Sequence, residues 1–432
     1  MCVEMDESRD TAKERPIMKQ TNSLYKVLVM MICLAMVLSC FTGCATWDNF
    51  VAGLKNDDVL EEEKKEIVRI GVFEPLRGTD KDGAAAEVRG IELAHELYPE
   101  VLGKPVELVY GDNQSDMNKA EAVAAELVNH NVSVVLGSYT STLSLLGSNV
   151  FGAAEVPAIG ITCTNPILTK SNPYYARVCF IDAFQGNAAA KYVFEYLQES
   201  RAIVLREKDN DYAAAMAQQF TSKLASLVEG SYGGQVEITE TSVVYTSEYE
   251  KGTTDFTAQK EDIQKNTEGI KVVFLPSDAK TAIAAMESMA DMDLIFVGSN
   301  QWEVDDFLNS GSEAVEGARF TTVYDSQSDL TDMSTVFLNA YRAKYGQDAI
   351  PSNEEALGFD AYRLALEAIE QAGDPENGYL IMQKMTAIRE FAGATGSITL
   401  NADGDPIKPV IIVKVKDGQM EPEYTAEPVW GS

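Results

Sequence analysis

VSVVLGSYTSTLSLLGSNVFGAAEVPAIGITCTNP, residues 132–166, decides the fold of this 432-residue chain. It opens with a short, wholly apolar run (residues 132–136), turns at Gly137, and starts a helix among the hydroxyls of Thr140, Ser141 and Thr142. After the helix comes a second apolar run that ends in Thr162-Cys163-Thr164-Asn165-Pro166. Apolar runs of this length alternating with helical patterns predict parallel strands joined by crossover helices. Both hydroxyl clusters then fall at strand carboxyl ends, one strand apart, where open α/β sheets bind ligands. The helix opening at Ser141 adds unpaired N–H groups and a positive dipole end suited to a carboxylate or phosphate. On this stretch alone Ser141 equally serves as an N-cap and Pro166 as a turn residue.

Outward from this stretch the same grammar repeats. Strands are predicted at residues 67–73 and 106–110, with helices at 84–97 and 117–129, giving β-α-β-α-β-α-β and hence a doubly wound sheet. Beyond Pro166 a second α/β unit follows: strands at 175–180, 202–205, 237–244, 272–275 and 294–297, and helices at 185–198, 212–229, 256–265 and 279–289. The last third holds helices at 333–345, 354–372 and 379–391. It closes with strand-like runs at 397–400 and 409–415 joined by Asn401-Ala402-Asp403-Gly404, a hairpin signal. Two tandem α/β units leave a cleft between them, a usual place for a small ligand.

A chain of this length exceeds one compact core and suits two lobes. Hydrophobic content of 45% and charged content of 24% are ordinary for a globular protein, but a formal charge of -32 is not. So acidic a surface repels nucleic acid and anionic lipid, which excludes nucleic-acid binding as the primary role. Residues 27–38 (VLVMMICLAMVL) are uninterruptedly apolar, follow Lys19 and Lys26, and are too short to span a bilayer, as in a secretory signal. Phe41-Thr42-Gly43-Cys44 follows as a lipobox, with Cys44 the expected lipidation site and Cys40 a second candidate. Residues 1–43 are thus read as signal peptide and 44–66 as a polar tether. The acidic residues 1–17 do not fit a signal, so Met18 is the expected true start. Cleavage leaves Cys44, Cys163 and Cys179, the last two expected as buried small hydrophobes rather than a bridged pair. With no CxxC and only His95 and His130, no metal site is expected.

Several pieces in this order carry a family resemblance: Ile70-Gly71-Val72 with Pro75-Leu76-Arg77-Gly78, Val135-Leu136-Gly137 with Ser141, Thr164-Asn165-Pro166, and Gly358-Phe359-Asp360-Ala361. Gly393-Ala394-Thr395-Gly396 with Asn401-Ala402-Asp403-Gly404 completes the set. From residue 67 to 418 the chain resembles a type I periplasmic binding protein of the branched-chain amino-acid (Leu/Ile/Val) group, the solute receptors of ABC importers, in lipid-anchored form. The resemblance implies a two-lobed α/β fold of two doubly wound parallel sheets joined by crossover hinges. Residues 67–182 and 324–400 would form the first lobe, and 183–323 and 401–432 the second. It implies a monomer outside the cell membrane that binds a small polar solute, an amino acid, and delivers it to a permease, with no cofactor. The alternative is a lipoprotein that presents an amide or organic acid to a separate sensor.

In amino-acid-binding relatives the carboxylate is held where Ser141 and Thr164 fall, and a backbone carbonyl at Thr162 meets the ammonium, with Cys163 in the same wall. An aspartate of the first crossover falls on Asp182, and a ring of the second lobe on Tyr212. The chain departs from the pattern at Asn300, where such relatives carry an acid. An amide supplies no counter-charge, so Asp278 is the candidate to compensate. Trp302 is read either as a pocket wall or as core. An enzyme is not expected: Ser141 has no base near it, no GxSxG surrounds it, and Gly137-Ser138-Tyr139-Thr140-Ser141 lacks a P-loop ending.

Overall fold

The computed structural model describes residues 66–233, 238–326 and 330–427. The signal segment, Cys40, Cys44 and the tether lie outside these residues. No helix among the described residues is long and apolar enough to cross a membrane.

The first sheet is built on β1 (Val68–Glu74), β2 (Glu100–Val101), β3 (Lys104–Asp112), β4 (Val134–Gly137), β5 (Ala158–Gly160) and β6 (Tyr175–Arg177). Its order is β2-β3-β1-β4-β5-β6, parallel except for the β2–β3 hairpin. That hairpin turns through Leu102 and Gly103, both at positive φ as a tight two-residue turn requires. β4 is buried along its whole length because helices cover both faces of the sheet. The order reverses at β1, so β3 and β4 leave a crevice outside its carboxyl end.

The second sheet holds β7 (Ala202–Glu207), β8 (Val244–Tyr249), β9 (Val272–Phe274), β10 (Ile295–Gly298), β11 (Arg319–Thr322), β15 (Val410–Lys416) and β16 (Gln419–Ala426). Its order is β16-β15-β11-β10-β9-β7-β8, with β15 and β16 antiparallel to their neighbours. In the chain between β11 and β15 lie β12 (Phe391–Gly393), β13 (Gly396–Leu400) and β14 (Pro406–Ile407), a small antiparallel sheet. Two sheets, each with its own helices, make the two-lobed α/β architecture.

The helices that matter for the cleft are α1 (Lys81–Leu97), α2 (Met117–Asn129), α3 (Ser141–Ala153), α4 (Asp182–Lys191), α5 (Asp211–Ser231), α6 (Ala279–Ser288), α7 (Asp332–Tyr345) and α8 (Asn353–Ala372). Helices α1 and α8 cross in close contact. A Cβ on Gly90 would lie 2.0 Å from the Glu355 carbonyl, and one on Gly358 would lie 2.2 Å from the Glu87 carbonyl. Only glycine at both positions permits this approach, which sets Glu87 of α1 beside the acidic start of α8.

The sequence motifs near the end of the chain are structural. Asp360, fully buried on α8, accepts the N–H groups of Ala394 at 2.5 Å and Thr395 at 3.0 Å and the Thr395 hydroxyl at 2.6 Å. Lys408 Nζ donates to the same threonine hydroxyl, and burial pushes its ammonium down to about 8.

Four expectations are corrected. The strand expected at 237–244 begins at Val244, after a one-turn helix (Glu240–Val243). Thr246, Ser247 and Glu248 stand consecutively in the strand and hide the alternation. The helix expected at 185–198 starts at Asp182 and widens at Tyr192–Tyr196, where Tyr192 and Tyr196 stack on each other at 5.2 Å with Tyr424 tilted beside both. The Asp403-Gly404 hairpin joins β13 to β14 rather than to β15. The hairpin at β15 is closed instead by Asp417-Gly418, both at positive φ. Finally, the third passage between lobes follows Lys408 instead of residue 401. Asp405 and Lys408 are buried against Arg177 and the Val178 carbonyl of the first lobe.

Candidate functional site

The carboxyl ends of β4 and β5 carry the two hydroxyl clusters. Thr140 is the N-cap of α3, its hydroxyl accepting the Leu143 N–H at 3.4 Å, and Ser141 is the first helical residue. The first-turn N–H groups of such a helix have no intrahelical acceptor and face outward. Ser141 is half-buried, as are Thr162 and Thr164.

The loop bearing Thr164 is held from beneath by a side chain the sequence did not single out. Arg177, fully buried at the end of β6, donates to the carbonyls of Cys163 at 2.5 Å and Asn165 at 2.9 Å, and to the Thr169 hydroxyl at 3.1 Å. Its Nε pairs with Asp405 Oδ1 at 2.8 Å, both side chains almost wholly buried. Cys163 turns inward: its Sγ lies 2.8 Å from the Ser144 hydroxyl and donates to the Ser138 carbonyl at 2.8 Å. Cys179 is likewise buried and free, so the expectation of two small buried residues holds and Cys163 presents no side chain to the cleft. Burial pushes the Cys163 thiol up to about 11.

Across from these hydroxyls stands a second polar set. Asp182 opens α4, and its backbone N–H meets the Thr164 carbonyl at 3.4 Å, with the Thr164 side chain beside its carboxyl. Burial raises the Asp182 carboxyl above its ordinary value, and Oδ1 is buried with no hydrogen-bond partner. Tyr212, at the start of α5, lies against Asp182 and Ser299; burial first and the Asp182 charge second raise its phenol. Gln185 is fully buried, its Oε1 accepting the Asn300 N–H at 3.1 Å and the Thr321 hydroxyl at 2.6 Å. Tyr212 Oη, Ser299 Oγ and Gln185 Nε2 all lack a hydrogen-bond partner while buried. Buried polar atoms are normally satisfied, so four orphans at one place mark a position for a polar ligand or water.

The structure thus brings Thr164, Asp182, Tyr212 and the segment of Asn300 together. Asp278 stays apart. It is the exposed N-cap of α6 and spends its carboxylate on the Thr281 N–H at 3.0 Å and the Thr281 hydroxyl at 2.8 Å, so it does not compensate for Asn300. Trp302 belongs to the core: wholly buried, it stacks on Phe307 at 5.2 Å and donates to the Ser277 carbonyl at 2.9 Å.

Four carboxyls line the remaining side. Thr162 donates its hydroxyl to Glu87 Oε1 at 2.5 Å, and Glu74 Oε2 accepts the Tyr139 N–H at 2.8 Å. Glu74 and Glu87 are both fully buried and act on one another, while Glu74 Oε1 and Glu87 Oε2 have no hydrogen-bond partner. Burial holds Glu74 well above the usual range and pushes Glu87 up to about 7. Glu303, just beyond Trp302, is pushed up to about 8 by burial and by the Glu354 charge. Sequence patterns did not flag these acids because they come from four separate elements. No group of three metal-ligating side chains occurs among the described residues.

Comparison with known proteins gives consistent likenesses. Residues 67–419 match the model of the family described as periplasmic binding protein. Leu/Ile/Val-binding protein homolog 2 of Brucella abortus is 25% identical over 362 residues, covering 82% of this chain and 91% of that protein. The crystal structure of a leucine-binding protein from Thermotoga maritima shares 29% identity with a TM-score of 0.69, covering 84% of this chain and 99% of that one. A solute-binding protein of an ABC transporter from R. palustris, in complex with benzoate, is 18% identical with a TM-score of 0.65, covering 84% and 97%, a likeness of fold.

Proposed function

Because the chain belongs to the periplasmic binding protein family, we propose that it is the extracytoplasmic solute receptor of an ABC importer and binds a small polar solute, an amino acid, between its lobes. The observation that supports this most is the set of orphaned polar atoms on Asp182, Gln185, Tyr212 and Ser299, opposite the hydroxyls and N–H groups of Ser141 and Thr164. Donors at a helix start suit the solute's carboxylate, and Asp182 with the Thr162 carbonyl suits its ammonium. Asn300 offers an amide only, so Asp182 is the counter-charge on this side.

Closure would hinge at the three chain passages, near residues 182 and 324 and after Lys408, and the closed form would dock on a permease. Lipidation at Cys44 would tether the receptor to the outer face of the cell membrane, where it acts as a monomer. The Leu/Ile/Val-binding and leucine-binding proteins it resembles lend the amino-acid class. Chemistry on the solute is not part of the proposal.

The test is a thermal-shift screen of the mature chain, stripped of bound solute by unfolding and refolding, against the standard amino acids and small organic acids. A solute that binds only the folded state raises its melting temperature. At least one amino acid is expected to do so by several degrees. A shift given by organic acids alone would refute the amino-acid class.

A further inference from the structure

On the seam between the lobes lies a cavity of about 310 Å³ lined by Glu303, Leu308, Tyr324, Asp325, Asn353 and Glu354 among others. Glu303 reaches it from the carboxyl end of β10, and Glu354 from the first turn of α8. None of the described residues lining it is Lys, Arg or His. Glu354 by itself is explained by its place in a helix's first turn, where a carboxylate is favoured. Glu303 has no such explanation. Its Oε2 is buried without a hydrogen-bond partner, and its nearest charges are Glu354 and Asp325. Arg89 reaches toward Glu354, but its guanidinium is paired with Glu355 at 2.6 Å.

The cavity is continuous in charge with the wall of the cleft. Glu354 stands one helical turn before Gly358, which packs on the Glu87 backbone, and its charge acts on Glu303 in the second lobe and on Glu87 and Tyr139 in the first, beside Thr162. An apolar side chain entering here would leave Glu303 and Glu354 facing one another without a cation between them. A cation would neutralise them, while Leu308 and its neighbours would cover the methylenes that carry it.

We propose that the solute carries a second positive group, a primary ammonium or a guanidinium, seated between Glu303 and Glu354, so that the receptor takes a basic amino acid in preference to a branched-chain one. The inference rests on the reading that an amino acid binds between the lobes. It names which class.

The experiment is calorimetric titration of the stripped mature chain with L-lysine, L-arginine, L-leucine and L-norleucine, the last matching lysine without its ammonium. Lysine or arginine is expected to bind at least tenfold more tightly than norleucine and leucine. Glu303→Gln and Glu354→Gln are each expected to weaken the basic amino acid at least tenfold and to narrow its advantage over leucine, with melting temperatures unchanged or higher. Leucine or norleucine binding more tightly than both basic amino acids overturns this inference and leaves the solute-receptor reading intact. Binding of a basic amino acid undiminished in both variants also overturns it. If no standard amino acid binds the wild type, the amino-acid reading falls and this inference with it.

Discussion

Arg177→Met is the most informative single change, because it couples the stability of the first lobe to the placement of Thr164. The guanidinium is wholly buried, pairs with Asp405 at 2.8 Å, and supports two loop carbonyls and one hydroxyl. Removing one partner of a buried pair costs about 3–5 kcal/mol, most of it from the charge left behind. Asp405 retains one bond from the Thr169 hydroxyl at 2.9 Å. Cys163's carbonyl keeps the weak Cys179 thiol at 3.3 Å. These partial replacements place the loss near the lower end, about 3 kcal/mol. The Asp405 carboxyl stands above its ordinary value because burial outweighs the attraction of Arg177, so the pair itself contributes little net stability. Arg177→Met with Asp405→Leu should therefore recover most of the loss, to within about 1 kcal/mol of wild type. Solute affinity should recover less, since the carbonyls of 163 and 165 remain without their anchor. Urea unfolding gives the stabilities and calorimetry the affinities. A single-mutant loss below about 1 kcal/mol, or a double mutant less stable than the single, would refute the reasoning.

Ser141→Ala and Thr164→Ala should each weaken solute binding by about 1–3 kcal/mol, the loss for a hydrogen bond to a charged group, with melting temperature nearly unchanged; calorimetry showing undiminished affinity in both would remove them from the site. The solute-free protein should lose stability as pH rises from about 5 to 8. Glu303 and Glu87 keep their protons to about 8 and about 7 when folded but release them near 4.5 when unfolded, so the unfolded state binds fewer protons across that window. Lys408, with its ammonium at about 8, acts above this window, and Glu303→Gln should flatten the slope in a pH series of melting curves. Cys44→Ser should move the protein from the membrane fraction to the soluble fraction; release by Cys40→Ser instead would place the lipid there.

Much of this architecture is written locally. Continuous apolar runs such as residues 134–137 can only be strands covered on both faces, and the hydroxyls after Gly137 and Gly160 mark their carboxyl ends. Asp182 and Tyr212 were placed by the resemblance to amino-acid-binding relatives rather than by their local pattern. What the sequence hid are contacts between distant elements. Gln185 meets the Asn300 N–H and the Thr321 hydroxyl only in the folded chain, and Arg177 finds Asp405 across more than two hundred residues. Asp278 misled because its spacing to Thr281 is that of a helix cap, a local bond that outcompetes a distant charge. Glu303 sits two residues beyond an exposed Gln301 and one beyond a buried Trp302, so no periodicity announces that it turns inward.

The most direct measurement is a crystal structure of the mature protein grown with the amino acid that gives the largest thermal shift. Density for that solute should lie between the lobes, its carboxylate within hydrogen-bond distance of Ser141 and the Thr164 hydroxyl, and its ammonium within reach of Asp182 and the Tyr212 hydroxyl. Solute bound on one lobe alone, away from Thr164, Asp182 and Tyr212, would contradict the assignment of this cleft as the binding site.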